Sequence, residues 1–587
     1  MAKNKLIISA LLLCSFVHWN CTDLDEELID ESLTGSQAEV VSGAIAPAYG
    51  YVSWTWRHTN YYGLQLIPSD EAILPYRGGT DWFDGGKFLA AHAHNFTPTN
   101  DLVASGWNEL TTNISRTLAA IETLRPLAEE GNSEATGALY EMIALRAYLN
   151  MLLLDSWGLV LEKETAEQEL STVLKTQDAI DYIKNELLSV VDVINTDKGP
   201  GRMTQSAVWG LLARLHLNAA VYRDPYGTPN FTQEDMDKVI EYTDNIINSG
   251  GFSLSPEYFD LFNDDNHDNP ELIFALDQRG VLELEHSRWA YWSIAGSMFP
   301  RPEYPGADGT DGPAITPDFY QTWVDAYGSV DPADADARFY KKNTIIPEEQ
   351  LQDLEGRAPL VATETEDSYY CVEPVEFEMD RGILRGIQWG PRKNDEGQFF
   401  TCDTGGVRIY PVVQTKGSGP ERDVGYVNHT LEVNFTNEGS LHNTGYRCSK
   451  YQFSRTSDDG NNFSSVDLVL MRLAEIYLMR AEAKLRNGDA AGALADVNTV
   501  RTSRNARPEQ TPEALSAVDL DILYRERGFE LYWEGFRRGD QIRFGTYEDS
   551  WTEKTDSDVN KRLFPIPQSA VDAASGTEGF LEQNPGY

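Results

Sequence analysis

Two clusters of aromatic residues beside short polar side chains stand out in this 587-residue sequence. A sugar ring has apolar C–H faces and a rim of hydroxyl groups, so a carbohydrate site needs an exposed aromatic plane flanked by polar or charged side chains. The first cluster contains Arg77, Asp81, Trp82 and Asp84 in a glycine-rich stretch. Glycines on both sides predict a loop on which Trp82 can stand exposed. In the alternative interpretation, Trp82 fills the scaffold and the aspartates cap a turn.

The second cluster contains an arginine and three large rings, namely Arg288, Trp289, Tyr291 and Trp292. Because alternate side chains of a strand point to opposite faces, three rings within four residues cannot all share one buried face. This spacing predicts that at least one of the rings is exposed and contacts a glycan. The alternative is an aromatic plug beneath the loops. Trp389, between two glycine-containing turns, is a third candidate.

Three glutamates, Glu526, Glu530 and Glu534, are spaced four residues apart on a predicted helix. Glycoside hydrolysis needs two carboxyl groups on opposite sides of a scissile bond, whereas this stripe lies on one side of a helix. Four arginines close by in the sequence can serve as partners: Arg527, Arg537, Arg538 and Arg543. The pattern favours an internal ion-pair network, and no catalytic residue is predicted.

Two acidic runs, residues 264–268 and 331–336, contain the oxygen ligands that calcium prefers. Neither run has the residue order of an EF-hand loop, so the sequence favours solvated loops, with calcium binding as the alternative. The 9 histidines include no HExxH motif and no close pairing with cysteine, which gives zinc no support. We therefore expect no metal site and no cofactor.

Residues 1–20 are predicted to be a signal peptide. Two lysines precede the apolar stretch 6–17, which is long enough for a signal peptide and too short to span a bilayer. Cys21 follows and begins an acidic run, which is similar to a lipobox followed by a lipoprotein export signal. Cys21 is therefore the predicted lipid-attachment site, and ordinary signal cleavage near this position is the alternative. No later segment has about 20 consecutive apolar residues, so we expect the mature chain to be anchored by lipid alone.

The composition argues against nucleic acid and anionic membrane surfaces as partners, and against a disordered chain. With 48 basic and 92 acidic residues the formal net charge is -44, which repels nucleic-acid phosphates and anionic lipid surfaces. The 13 tryptophans and 28 tyrosines are too many for an acidic disordered chain. The 5 cysteines are too few and too scattered to indicate a disulfide framework.

The elements that must position these clusters are mainly helical. Apolar residues recur at steps of three and four in the predicted helices 106–127, 135–157, 177–195, 204–222, 232–249, 467–486 and 490–504. Short turns between neighbours predict helix pairs that are degenerate relatives of the tetratricopeptide repeat. The helical period disappears between about residues 279 and 465, where glycine, proline and short β-type runs predict an irregular part.

The order of motifs in the chain resembles that of the SusD/RagB family. The motifs are Ala144-Leu145-Arg146-Ala147-Tyr148 before Trp157-Gly158, then Met471-Arg472-Leu473-Ala474-Glu475-Ile476-Tyr477-Leu478, Arg525-Glu526-Arg527, Glu534-Gly535, Arg537-Arg538-Gly539-Asp540, Phe564-Pro565-Ile566-Pro567 and Gln583-Asn584-Pro585-Gly586-Tyr587. Each motif is weak alone, but their order is specific.

The resemblance implies one domain over residues 21–587, with a mainly α fold of degenerate tetratricopeptide-like helix pairs in a right-handed superhelix. Helical parts at approximately 35–278 and 466–587 would support long irregular loops and short β segments at approximately 279–465. These irregular loops would form the binding part, and the protein would be non-catalytic. Because the family's sugar-contacting aromatic residue commonly comes from the region of the first cluster, Trp82 and Arg77 are the favoured contacts.

The resemblance also implies a location and partners. The protein would be a lipid-anchored, outward-facing protein of the outer membrane that captures a polysaccharide or oligosaccharide. It would deliver this ligand to a SusC-like TonB-dependent transporter. Two other functions stay open: a surface-attached glycosidase, and an assembly protein that binds a peptide or glycopeptide through its helical repeats.

Overall fold

The structure is a computed structural model. It describes residues 37–587 except 79–80, 198, 280–288, 303–305, 345, 347–353, 355–356, 359, 361–365, 367, 417–422, 456, 458–463 and 578. The predicted signal peptide, the predicted lipid-attachment site Cys21 and the candidate glycan contact Arg288 therefore lie outside the described residues.

Helices form most of the regular structure. In chain order they are α1 (Gln37–Gly50), α2 (Val52–Thr55), α3 (Tyr61–Leu66), α4 (Lys87–His92), α5 (Asp101–Glu129), α6 (Ser133–Trp157), α7 (Thr176–Val190), α8 (Gln205–Arg223), α9 (Gln233–Ser249), α10 (Pro317–Tyr327), α11 (Pro332–Ala335), α12 (Leu473–Arg486), α13 (Ala490–Ser503), α14 (Leu520–Leu531), α15 (Arg537–Phe544) and α16 (Gln568–Ala574). The helices predicted between residues 106 and 249 and at 490–504 are confirmed, with small shifts at their ends. The predicted helix 467–486 is corrected at its start, where residues 468–472 form a strand.

The long helices begin and end where their flanking residues favour it. The side chain of Asn100 accepts hydrogen bonds from the N–H groups of Leu102 and Val103 at the start of α5. Gly158, with a φ of 72°, ends α6 in the left-handed conformation. In the part of the chain that the structure describes, α6 alone is long and apolar enough to cross a membrane, and 83% of its apolar window is buried. Such burial on all sides is typical of the central helix of a large core.

The helices stack as neighbouring pairs. Helices α5 and α6, α8 and α9, and α12 and α13 each form a pair with a short connection. Helix α7 packs between α6 and α8, and α9 packs against α12, so the N-terminal and C-terminal pairs form one continuous scaffold. The tetratricopeptide-like arrangement expected from the sequence is therefore confirmed.

The strands are short and their pairings are antiparallel. They are β1 (Ala72–Ile73), β2 (Leu159–Glu162), β3 (Thr172–Lys175), β4 (Leu272–Leu276), β5 (Ala314–Ile315), β6 (Tyr340–Lys341), β7 (Tyr370–Val372), β8 (Arg381–Leu384), β9 (Gly386–Ile387), β10 (Trp389–Pro391), β11 (Val407–Pro411), β12 (Val413–Lys416), β13 (Asp423–Tyr426), β14 (Asn428–His429), β15 (Arg447–Ser449) and β16 (Leu468–Arg472). Strand β4 pairs with β16 and so joins the two helical parts.

The irregular part is more ordered than its sequence indicates. It contains helix α10, which the sequence pattern did not predict because only 11 residues show the helical period. Trp323 of this helix stacks on Phe529 of α14 with 3.7 Å between ring centroids, which fixes the loops to the scaffold. A disulfide between Cys371 and Cys402, which the cysteine spacing did not indicate, links β7 to the segment before β11.

Candidate functional site

Arg77 ties the first aromatic loop to two neighbouring segments. Its guanidinium group donates to the carbonyl oxygens of Asp311 and Gly312, each at 3.0 Å. It also donates to the carbonyl oxygens of Leu441 and Thr444, each at 3.0 Å. The side chain is 3% exposed, so the prediction that Arg77 contacts a ligand directly is corrected. Its guanidinium instead fixes the loop that carries Trp82.

Trp82 lies half-buried at the edge of the core. Its Nε1 atom donates to the carbonyl oxygen of Thr310 at 2.7 Å, and its ring meets that of Phe88 edge-on at 5.9 Å. Trp82 and Asp84 have φ values of 59° and 42°. Such backbone strain in residues other than glycine is held in place only by surrounding contacts and is common at functional sites. The intermediate burial of Trp82 leaves part of its indole in contact with solvent.

Two carboxylates and two further rings belong to the same loop. Asp81 and Asp84 are exposed, and the ammonium group of Lys87 lies 3.6 Å from the Asp84 carboxylate. Phe83 is 39% exposed, and its ring lies 5.1 Å from that of Tyr76. These last two rings were not among the predicted ligand contacts, although they flank the predicted residues. The role of Trp82, Asp81 and Asp84 in ligand binding stays a prediction.

The second aromatic cluster is buried, so the prediction of an exposed ring there is wrong. Trp289, Tyr291 and Trp292 are 5%, 2% and 0% exposed. The Trp289 ring stacks on Tyr62 at 3.9 Å, and its Nε1 atom donates to the carbonyl oxygen of Trp56 at 3.1 Å. The strand alternation on which the prediction depended does not apply, because residues 289–294 form turns and bends instead of a strand. The three rings are core residues, and the ring of Trp292 lies 6.3 Å from that of Trp82.

The third candidate, Trp389, lies at the start of β10 and is half-buried. It lines a cavity of about 170 Å³, together with Tyr340, Asp380 and Gln388. Sequence reasoning named Trp389 but did not connect it with Tyr340 of β6, which strand pairing with β8 brings to this part of the structure. This cavity is a second place where an aromatic ring meets polar side chains.

The three glutamates of the C-terminal stripe are buried in an ion-pair network, as predicted. Their partners are Arg338, Lys450, Arg472, Arg501, Arg504 and Arg525. The predicted partners were wrong: Arg527, Arg537, Arg538 and Arg543 instead pair with Asp540, Asp70, Asp155 and Glu482. Burial alone would raise the pKa of Glu530, but the charges of Arg504 and Arg472 outweigh it and hold this pKa well below its usual range.

Each acidic run contains carboxylates that bond to the chain itself. In residues 264–268 the Asp264 carboxylate accepts from the Ser465 hydroxyl at 2.7 Å, while Asp265 and Asp268 are exposed. Asp331 caps α11 and lies 2.9 Å from Arg385, while Asp336 is fully buried against Arg338 at 2.7 Å. The interpretation of residues 331–336 as a solvated loop is therefore corrected for Asp336. Within the described ranges, no group of three or more His, Cys, Asp or Glu side chains is arranged to hold a metal ion.

The stacked helix pairs form a tetratricopeptide-like scaffold that carries the Trp82 loop. A family model described as the SusD family matches residues 222–587, and the chain belongs to this family. The predicted family resemblance is thus confirmed.

Individual proteins support the same assignment. The chain is 27% identical to the starch-binding protein SusD of Bacteroides thetaiotaomicron over 466 residues, which cover 76% of this chain and 72% of that protein. The surface glycan-binding protein A of the same organism, solved in complex with laminarihexaose, shows a TM-score of 0.61 at 17% identity and covers 93% of this chain and 99% of its own. Surface glycan-binding protein A from Bacteroides fluxus shows a TM-score of 0.60 at 17% identity and covers 94% of this chain and 100% of its own. At such identities the structural likeness shows the shared fold.

Proposed function

We propose that this chain is a cell-surface glycan-binding lipoprotein that captures a polysaccharide or oligosaccharide at the Trp82 loop. Membership of the SusD family supports this proposal, and the half-exposed indole of Trp82 is the observation that carries it. One relative is named a starch-binding protein, and one solved structure of the same fold holds laminarihexaose. The carbohydrate ligands of these proteins therefore agree with the aromatic and carboxylate side chains of this loop.

The loop offers the two kinds of contact that a sugar needs. The Trp82 ring supplies a flat apolar face, and a stacked ring contributes about 0.5–1.5 kcal/mol beyond its buried area. The carboxylates of Asp81 and Asp84 can accept hydrogen bonds from sugar hydroxyls, and such charge-assisted bonds are the stronger kind. One sugar residue would bind weakly through these contacts. Repeated contacts along one glycan chain would raise the overall affinity.

Binding without hydrolysis is part of the proposal. A glycosidase needs a carboxyl group whose pKa is raised, so that it can donate a proton to the leaving group. In the glutamate stripe the pKa of Glu530 is instead lowered, and arginines occupy its carboxylate. Glu71 does have a pKa raised to about 8 by burial, but its carboxylate accepts from the backbone N–H of Trp533 inside the core. Neither group is placed to protonate a bound glycan.

The location and the partner follow from the N-terminal pattern and the family. We propose that a lipid on Cys21 anchors the chain to the outer membrane with the binding loops facing outward. From there it would deliver the glycan to a SusC-like TonB-dependent transporter. The net charge of -44 favours a basic or mixed surface on that transporter.

Affinity electrophoresis against a panel of polysaccharides tests this function. We expect one glycan class to retard the soluble chain that lacks residues 1–21, without release of reducing ends. Trp82→Ala should abolish the retardation. Trp209→Ala, which removes a half-buried tryptophan from helix α8, is the matched control and should migrate like the wild type. If no polysaccharide retards the chain, or if reducing ends accumulate, the proposed function is wrong.

A further inference from the structure

The cavity beside Trp389 lies apart from the Trp82 loop and has a different charge pattern. Besides Trp389 and Tyr340 it is lined by Lys342, Asp380 and Gln388, and its volume is about 170 Å³. It thus combines two aromatic side chains with an amide, a carboxylate and an ammonium group. These are the elements of a carbohydrate site, with a cation added.

The strand pairing explains why Lys342 faces this cavity. Strand β6 pairs with β8, and the Tyr340 hydroxyl donates to the Asp380 carboxylate. Side chains alternate along an extended segment, so Lys341 points away from Tyr340, and its ammonium lies 3.8 Å from Glu257. The next residue, Lys342, returns to the side of Tyr340 and lines the cavity.

Some polar groups of the cavity already bond within the protein, and others can still bond to a ligand. The Asp380 carboxylate also accepts from the backbone N–H groups of Asn343 and Thr344, each at 2.7 Å, so both of its oxygens are in use. In contrast, Lys342 is exposed and forms no ion pair with any of the described residues. The charged donor that a ligand can reach at this cavity is therefore the Lys342 ammonium group.

An available ammonium group beside an aromatic side chain matches the carboxylate of an acidic sugar. We propose that this cavity is a second subsite of the glycan-binding surface and accepts a sugar residue that carries a carboxylate group. The sugar ring would stack on Trp389, while its carboxylate pairs with Lys342. This inference rests on the proposed function and adds a substrate class to it.

The Trp82 loop has the opposite preference. Its exposed charges are the carboxylates of Asp81 and Asp84, and its nearby cation, Lys87, already faces Asp84. A carboxylate ligand is repelled there, so that surface favours a neutral sugar.

Saturation-transfer NMR with the soluble chain and two matched probes, D-glucuronate and D-glucose, tests the subsite. We expect the wild type to show stronger saturation transfer to D-glucuronate than to D-glucose. Trp389→Ala should lose this difference between the two probes completely. Lys342→Gln should bind D-glucuronate with about threefold weaker affinity, the size expected for one exposed ion pair. Added salt should weaken the D-glucuronate signal because it screens the exposed pair. Lys175→Gln removes an exposed lysine at the end of β3 and is the matched control.

The outcomes separate this inference from the proposed function. If the two probes give equal transfer, or if the preference for D-glucuronate survives in both Trp389→Ala and Lys342→Gln, the acidic subsite is wrong. The proposed function still stands in that case if a polysaccharide retards the wild type and not Trp82→Ala. A D-glucuronate preference that disappears only in Trp82→Ala would likewise overturn the assignment to the cavity.

Discussion

The indole rings of Trp82 and Trp292 lie 6.3 Å apart between centroids, but only Trp82 reaches the surface. Trp292 is fully buried and also lies 5.0 Å from the ring of His58 and 6.5 Å from that of Trp533. The buried ring is thus part of the core on which the half-exposed ring rests. Substitution should therefore reduce mainly the stability at Trp292 and mainly the glycan affinity at Trp82.

Trp292→Ala should destabilise the protein by about 3–5 kcal/mol, because it leaves a cavity in the core. Trp82→Phe should have a much smaller effect on stability. It keeps an aromatic face but loses the 2.7 Å hydrogen bond to Thr310, so the glycan affinity should fall without disappearing. Chemical denaturation measures the first effect and affinity electrophoresis the second. Equal loss of stability in both variants would contradict the assigned roles.

Arg77→Lys should weaken glycan binding although Arg77 has no surface for a ligand. One ammonium group cannot replace a planar guanidinium that donates to the carbonyl oxygens of four residues. We expect faster hydrogen exchange at residues 76–78 and 441–444, together with lower affinity. Arg279→Lys is the control, since that arginine pairs with Asp277 at the surface. Unchanged exchange in Arg77→Lys would show that the loop does not depend on this side chain.

The helices and the first loop could be predicted from the sequence because both depend on local signals. Helical spacing and capping residues act within a few positions, and the glycines around Trp82 indicate a turn wherever the chain places it. The burial of Trp289 could not be predicted in this way. It depends on Tyr62 of helix α3, which is more than 200 positions away and stacks on the ring.

The three glutamates at positions 526, 530 and 534 also show what local sequence signals can and cannot predict. The four-residue spacing correctly predicted ion pairs, but it could not identify their partners. Arginines that are close in sequence to Glu530 point to other carboxylates, whereas Arg472 and Arg504 come from β16 and the end of α13. Partner choice is decided by tertiary packing, which one sequence does not display.

Glu530→Gln should lower the free energy of unfolding by about 3–5 kcal/mol, because Arg472 and Arg504 would be left with less opposing charge inside the core. Urea denaturation at neutral pH measures this loss. The matched control, Glu509→Gln, changes an exposed glutamate and should stay within about 0.5 kcal/mol of the wild type.

The lowered pKa of Glu530 also gives this contribution a pH dependence. It is fully present above the unfolded-state pKa of about 4.3 and is lost as the pH falls towards the lower folded-state pKa. The wild type should therefore lose its advantage over Glu530→Gln in acid. A constant difference between the two proteins from pH 7 to strongly acidic solution would contradict the ion-pair assignment.

Glu71 should make the protein less stable as the pH rises above about 4.3. Burial raises the pKa of its carboxyl group to about 8 in the folded protein, although the charge of Arg537 and the backbone N–H of Trp533 oppose this shift. The unfolded chain releases the proton first, so ionisation favours unfolding until the pH passes about 8, where the folded protein ionises as well. Thermal-unfolding midpoints measured between pH 5 and 9 should decrease with rising pH in the wild type, and Glu71→Gln should remove this decrease. The control Glu129→Gln changes an exposed glutamate at the end of α5 and should keep the decrease. The same slope in Glu71→Gln as in the wild type would assign the pH dependence to other groups.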